Sequence, residues 1–224
     1  MYNISTLDNP FPFLYAVSIK WGETMKTTIS KGNMKLGGIP NISLSPVWSC
    51  VKGVPCAKGC YAMKSYRMYP NVKTAWNNNL AMAKNETEKY FSDINDYMQN
   101  KKPAFFRWHV AGDILDYVYF NSMLVIALQN PNTKFLCFTK NYKVVNEYLV
   151  DLNAVNQSLP DNFKLYFSAW SDDTWIIDNP FDIPIAYMQD GKQIIPESAF
   201  TCPGSCEDCK HCFVNGNAVV FKKH

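Results

Sequence analysis

The sequence predicts an α/β protein with a parallel or mixed sheet and flanking helices, and three observations point there. From residue 103 onward, apolar strand-like runs alternate with helix-period segments, the order that builds parallel sheets. Polar residues gather just after each run: Asp113, then Lys140 with Asn141, then Asp172 with Asp173, then Asp190. Parallel sheets bind ligands beyond the carboxyl ends of their strands. Finally, seven of the eight cysteines fall into two groups, Cys50/Cys56/Cys60 and Cys202/Cys206/Cys209/Cys212. These mark cysteine-rich metal-binding loops over residues 45–64 and 202–212.

The elements are read in order. Residues 13–19 are apolar and short enough for either a buried strand or a short helix. Residues 30–40 read as a loop from their Gly and Pro content. Its Asn33, Lys35, Gly37 and Gly38 either offer backbone N–H groups to a ligand or form a surface turn, and the turn is the simpler reading. Residues 45–59 are a Pro/Gly loop, after which Tyr61, Lys64 and Arg67 begin a helix that Pro70 breaks. Helices follow over 71–84, with Ala75, Trp76, Leu80 and Met82 on the apolar side, and over 86–100, with Tyr90, Phe91, Ile94 and Met98. Trp76 is followed by three asparagines, read as packing plus a polar helix face. Strands are predicted over 103–110, 134–139, 164–170 and 183–188, with helices over 116–130 and 144–152, and residues 218–221 add a last strand. One domain over 1–224 is the simplest organisation, since no repeat or linker stands out.

Composition is globular, at 47% hydrophobic and 18% charged residues. A net charge of +3 is too small to argue for nucleic acid by itself, although cations can still cluster in space. The run Met123 to Leu128 is far too short to span a bilayer. No basic, apolar and small-residue series opens the chain, so a cytoplasmic protein without membrane partners is expected. In a reducing compartment thiols stay free or bind metal.

The spacing of the thiols indicates which metal. Between Cys202 and Cys212 the intervening counts are three, two and two, a loop able to wrap one compact iron–sulfur cluster, most simply [4Fe-4S]. Zinc is the alternative, with His211 as a substitute ligand, though structural zinc favours two short pairs separated by a longer segment. Cys50, Cys56 and Cys60 have five and three intervening residues. They hold a second site or share one cluster with the first. Cys137, inside an apolar strand, reads as a small core residue.

Candidate chemistry beside the metal falls on Asp113, His109 and Lys140, with Asn141 added as a ligand-binding group. His109 and Asp113 lie four apart around a strand end, and Arg107 shares His109's side if the strand stays regular. They suit acid–base or anion-binding work. The plainer reading makes His109 a satisfied core residue and Asp113 the cap of the next helix. Thirteen Tyr and six Trp suit either core packing or stacking on bases.

At Cys60-Tyr-Ala, Phe106-Arg-Trp-His-Val-Ala-Gly-Asp113 and Cys137-Phe-Thr-Lys-Asn141 the chain resembles the phage gene-product-88-like proteins, over about Asn33 to Phe213 and including the terminal cysteine run. A more distant similarity is to phage-borne radical SAM proteins, which share a Gly-Cys-x-x-Cys-Tyr-Ala element and a Thr-Lys strand end. That resemblance implies a full or partial (β/α)-barrel-like core, a [4Fe-4S] cluster and S-adenosylmethionine. Cys50/Cys56/Cys60 departs from the radical SAM triplet of three then two intervening residues. Cys202/Cys206/Cys209 matches it, but only fifteen residues follow, so no barrel can be built after it. Two functions are therefore expected from different classes. One is an iron–sulfur redox or radical SAM-like enzyme acting on a small molecule at the strand ends, in the host cytoplasm. The other is a metal-stapled module that recognises nucleic acid or a host protein.

Overall fold

The computed structural model describes residues 25–170, 177–189 and 191–222. Residues 13–19 and the strand-end groups Asp172, Asp173 and Asp190 lie outside the described residues.

Among the described residues there are seven strands: β1 (Asn41–Ile42), β2 (Phe105–Trp108), β3 (Lys134–Thr139), β4 (Phe163–Ser168), β5 (Ile185–Gln189), β6 (Phe200–Thr201) and β7 (Val219–Lys222). The helices are α1 (Tyr61–Met68), α2 (Pro70–Asn85), α3 (Thr87–Lys101), α4 (Tyr117–Gln129) and α5 (Tyr142–Ala154), then two single turns, α6 (Cys206–Cys209) and α7 (His211–Val214). The strands form one sheet in the order β1-β2-β3-β4-β5-β7-β6, and every ladder is parallel. The sheet is open, with β1 and β6 at its edges, and does not close into a barrel.

Strand alternation divides the core into two layers. Phe106, Trp108, Phe135, Cys137, Phe163 and Leu165 face the helices α3, α4 and α5 in the larger cluster. Register aligns Phe106 with Phe135, and Phe135 with Phe163, so their rings form a row at 6.0 and 6.5 Å. Burying each such ring contributes about 1.5–3 kcal/mol. Leu136, Tyr166, Ala186 and Val219 face the other way, where Leu36, Ile39 and Phe213 cover them. The second layer is therefore made of loop and single turns, and the C-terminal cysteine segment packs on it without a long helix in the way.

Helix α2 is held by its asparagines. Asn79 is fully buried; its amide donates to the carbonyls of Thr28 and Ser43, and its oxygen accepts from the Thr28 N–H. Asn77 Oδ1 accepts from the hydroxyls of Ser45 and Tyr66. The expected polar face is thus partly an internal fastening that binds the segment before the cysteine loop to the helix.

Strand β2 ends abruptly. His109 takes a left-handed conformation with φ 54°, and Gly112 has φ 87°. A side chain at Gly112 would meet Leu44 Cβ at 2.7 Å and Ser49 Oγ at 2.5 Å. Glycine is needed there for both conformation and space. The left-handed turn also corrects one expectation. Arg107 lies with Phe138 and Leu136 on the loop-covered face, whereas His109 turns into the helical layer.

Candidate functional site

The C-terminal cysteines are carried over the loop-covered face by β6, α6 and α7. Pairing of β6 with β7 brings in Cys202, whose N–H donates to Val220 O at 2.9 Å. One helical turn separates Cys206 from Cys209, so their thiols share a side, and Lys210 at φ 53° turns the chain into α7. The predicted loop around residues 33–38 supplies the shelf. Its N–H groups serve its own turn, with Gly37 donating to Asn33 O and both Lys35 and Leu36 to Asn33 Oδ1. Lys35 O accepts from Cys206 N at 2.8 Å, and a Cβ on Gly37 would strike the Glu207 carboxylate. The loop therefore seats α6 rather than offering its N–H groups to a ligand.

Cys202, Cys206, Cys209 and Cys212 all line one pocket, with Arg107, Leu136, Phe138, Phe200, Phe213 and Phe221 among its other walls. None is in a disulfide. Two polar atoms around this region are buried and unpartnered, Arg107 Nε and His211 Nε2, while the Tyr166 hydroxyl lies against Gly216 and Cys212. His211 also lines the pocket; its ring stacks on Phe200 at 3.7 Å, and its Nδ1 lies 2.9 Å from Asn215 Nδ2. The Arg107 guanidinium sits over the Phe138 ring at 4.9 Å. Burial raises the Cys206 thiol, opposed by the charges of Arg107 and Lys35. Cys212 is pushed up to about 12 by burial and then by the neighbouring thiols Cys202 and Cys206. Crowded, half-buried thiols of this kind resist losing protons until a cation compensates them. Among the described residues, no group of three or more His, Cys, Asp or Glu side chains is already closed into an arrangement that could hold a metal ion. The donor set suits a soft metal, and the unpartnered donors suit the anionic complex that four thiolates would make.

The N-terminal cysteines occupy a different place. Their loop leaves β1 and crosses the carboxyl ends of β2 and β3, with a short 3₁₀ turn over Pro55–Gly59 and Cys60 as the residue preceding α1. Tyr61 Oη donates to Val110 O at 2.5 Å and ties α1 to the end of β2. Cys50 is pushed up to about 12, first by burial and then by the charge of Asp113, with Cys56 and Cys60 adding to it. Burial raises Cys56 too, while Lys140 opposes it. The three thiols, Asp113 and Lys140 are thus electrostatic neighbours. Beside them opens a polar cleft of about 290 Å³, lined by Trp48, Ser49, Cys50, Lys84, Thr87, Asp116 and Asn141 among others.

The remaining expected groups divide by burial. Asp113 is 5% exposed. Its Oδ1 accepts from Thr139 Oγ1 at 2.5 Å and from the Ile114 N–H, and its Oδ2 accepts from the Lys140 N–H. Burial raises its carboxyl despite these donors. It clamps the end of β2 to the end of β3, and the capping expected of it is done by Asp116, which accepts from Tyr119 N at 2.8 Å. Asn141 donates to Ile114 O and still borders the cleft. Lys140 Nζ lies 6.0 Å from the centre of the Trp170 ring. His109 is buried in the helical layer, with Nε2 2.9 Å from Tyr119 Oη and Nδ1 3.9 Å from Cys137 Sγ. Burial, helped by Arg107, holds its pKa down to about 3, so the ring is neutral near pH 7. This places His109 as the satisfied core histidine of the two readings.

The structure therefore gathers Cys50, Cys56, Cys60, Asp113, Lys140 and Asn141 at the strand ends, and Cys202, Cys206, Cys209 and Cys212 on the sheet face. Sequence reasoning set Arg107 beside His109 rather than beside the second group, and missed Thr139 beneath Asp113. The signals were an Arg alternating with aromatic residues in β2 and a Thr closing an apolar strand.

These features define an open parallel α/β protein with two separate cysteine-bearing sites. The Gene product 88 family model matches residues 19–199, and the chain belongs to that phage-type family. The match takes in Cys50, Cys56 and Cys60 and ends before Cys202, so the terminal cysteine run lies beyond it. Neither the curated proteins nor the solved structures compared with the chain gave a match. No helix among the described residues is long and apolar enough to cross a membrane.

Proposed function

We propose that this protein binds an iron–sulfur cluster through Cys202, Cys206, Cys209 and Cys212, and works as a redox or S-adenosylmethionine-dependent enzyme whose substrate enters the cleft beside Cys50. The observation that carries the cluster is the convergence of four free thiols on one pocket whose wall includes the unpartnered Nε of Arg107. Such a cluster supplies one-electron chemistry when bound. The chain's own part is physical. Leu136, Phe138, Phe200, Phe213 and Phe221 give the half-buried thiols an apolar wall, and Arg107 places a fixed positive charge against them. At the strand ends, Asp113 holds β2 and β3 together, so that Asn141 borders the cleft and the Lys140 charge lies near Cys56. Asp113 is thus a positioning residue, while Lys140, Asn141 and Cys50 are the groups available to a substrate.

Anaerobically purified protein should be brown and contain iron with acid-labile sulfide, and Cys209→Ser should lose both. A colourless protein holding zinc alone would overturn the cluster. With the cluster in place, a change in its spectrum on adding S-adenosylmethionine selects that co-substrate; no change selects plain electron transfer.

A further inference from the structure

A second feature is independent of the thiol chemistry. Between Glu23 and Glu86 the chain carries nine Lys and Arg and no Asp or Glu, while the rest holds thirteen cations against nineteen carboxylates. The small net charge conceals this division. In the fold the basic stretch builds β1, the first cysteine loop, α1 and most of α2. Lys52, Lys64, Arg67, Lys73 and Lys84 are all exposed, and none forms an ion pair among the described residues, where Lys89–Asp93 and Lys143–Glu147 are the pairs present.

Aromatic rings sit among these cations. Trp48 is 58% exposed and heads a series in which Tyr66 lies 5.4 Å from it and Trp76 lies 6.4 Å from Tyr66. Lys73 Nζ is 5.7 Å from the centre of the Tyr66 ring. On α1, positions 64 and 67 lie three apart and so project on one side. An uncompensated row of cations beside an exposed indole matches a polyanion that also offers flat rings.

We propose that the surface formed by the first cysteine loop, α1 and α2 binds single-stranded nucleic acid, with Lys64, Arg67 and Lys73 on the phosphates and Trp48 stacked on an unpaired base. Phosphate contacts make such binding salt-dependent, and stacking selects single strands because paired bases do not expose their faces.

The test uses the full chain and a fluorescein-labelled twenty-nucleotide oligo(dT), followed by anisotropy across a salt series. Binding is expected to weaken steadily from 50 to 200 mM NaCl, in line with about −0.7 in log–log slope per phosphate contacted. The exposed pair K64E/R67E should weaken it by at least about tenfold and flatten the salt slope. Trp48→Ala should weaken it by about tenfold and leave the slope unchanged. Lys134→Glu, at the other end of the sheet, should have no effect, and circular dichroism should show all variants folded. The proposal is overturned by no binding at 50 mM NaCl, by wild-type affinity in Trp48→Ala, or by equal affinity for a duplex. It is also overturned if phosphatidylserine vesicles bind and the oligonucleotide does not compete with them.

Discussion

Arg107 is the side chain on which most depends. It stands in a strand between two buried aromatics, yet its guanidinium faces the thiols, with Nε unpartnered. Replacing it by Met keeps the stem packed on Phe138 and removes the charge. Arg107→Met should therefore fold, retain less iron per chain, and shift the midpoint potential of any retained cluster to more negative values; redox titration checks this. Asp113 works differently, since both its oxygens are used inside the protein. Asp113→Ala would strand the Thr139 hydroxyl and the Lys140 and Ile114 N–H groups and should cost about 2–4 kcal/mol in urea denaturation. His109 gives a pH signature. An imidazole ordinarily titrates near 6.5, and burial holds this one to about 3. Between those values the unfolded chain takes up a proton that the folded chain refuses, so stability falls as pH drops through that window. The urea midpoint should decline from pH 7 to pH 4, and His109→Gln should flatten the decline.

The secondary structure was legible where long periodic segments met clear stops. The predicted strand over 134–139 coincides with β3, and helices predicted over 71–84 and 86–100 are α2 and α3 within a residue or two at each end. Two-residue strands such as β1 and β6 carry no alternation to read, so their place at the sheet edges emerged only from pairing. The candidate site was legible in residue type and not in arrangement. Cysteine spacing identified both groups, but nothing in the spacing says that one lies on the sheet face and the other at the strand ends. The turn after β2 hid the rest, because one left-handed residue sends His109 to the face opposite Arg107. Gly112 governs that turn. Gly112→Ala combines an unfavourable φ of 87° with a clash against Leu44 and Ser49. It should destabilise by about 2–4 kcal/mol and, by displacing the first cysteine loop, should alter the cleft more than the terminal cysteines. Thermal denaturation and thiol-labelling rates at Cys50 and Cys209 separate these effects.

At the scale of the molecule, the larger aromatic layer folds against helices, while the second layer is little more than a loop, two single turns and four thiols. Metal should matter most to that thinner layer. Protein depleted of metal by a chelator should melt several degrees lower by calorimetry and recover on anaerobic reconstitution, as expected for a ligand bound only by the folded state. A chain whose melting point ignores depletion would leave the thiols without a structural metal.

The strand order adds a consequence in time. β7, which contains Val219–Lys222, lies between β5 and β6, so β6 has no neighbour to pair with until residue 222 has been synthesised. Cys202, anchored through Val220, waits with it. On the ribosome, the helical layer can form while the terminal thiols are still an unorganised tail. Any metal bound there is thus bound only after β7 has been made, once the helical layer has had its chance to form.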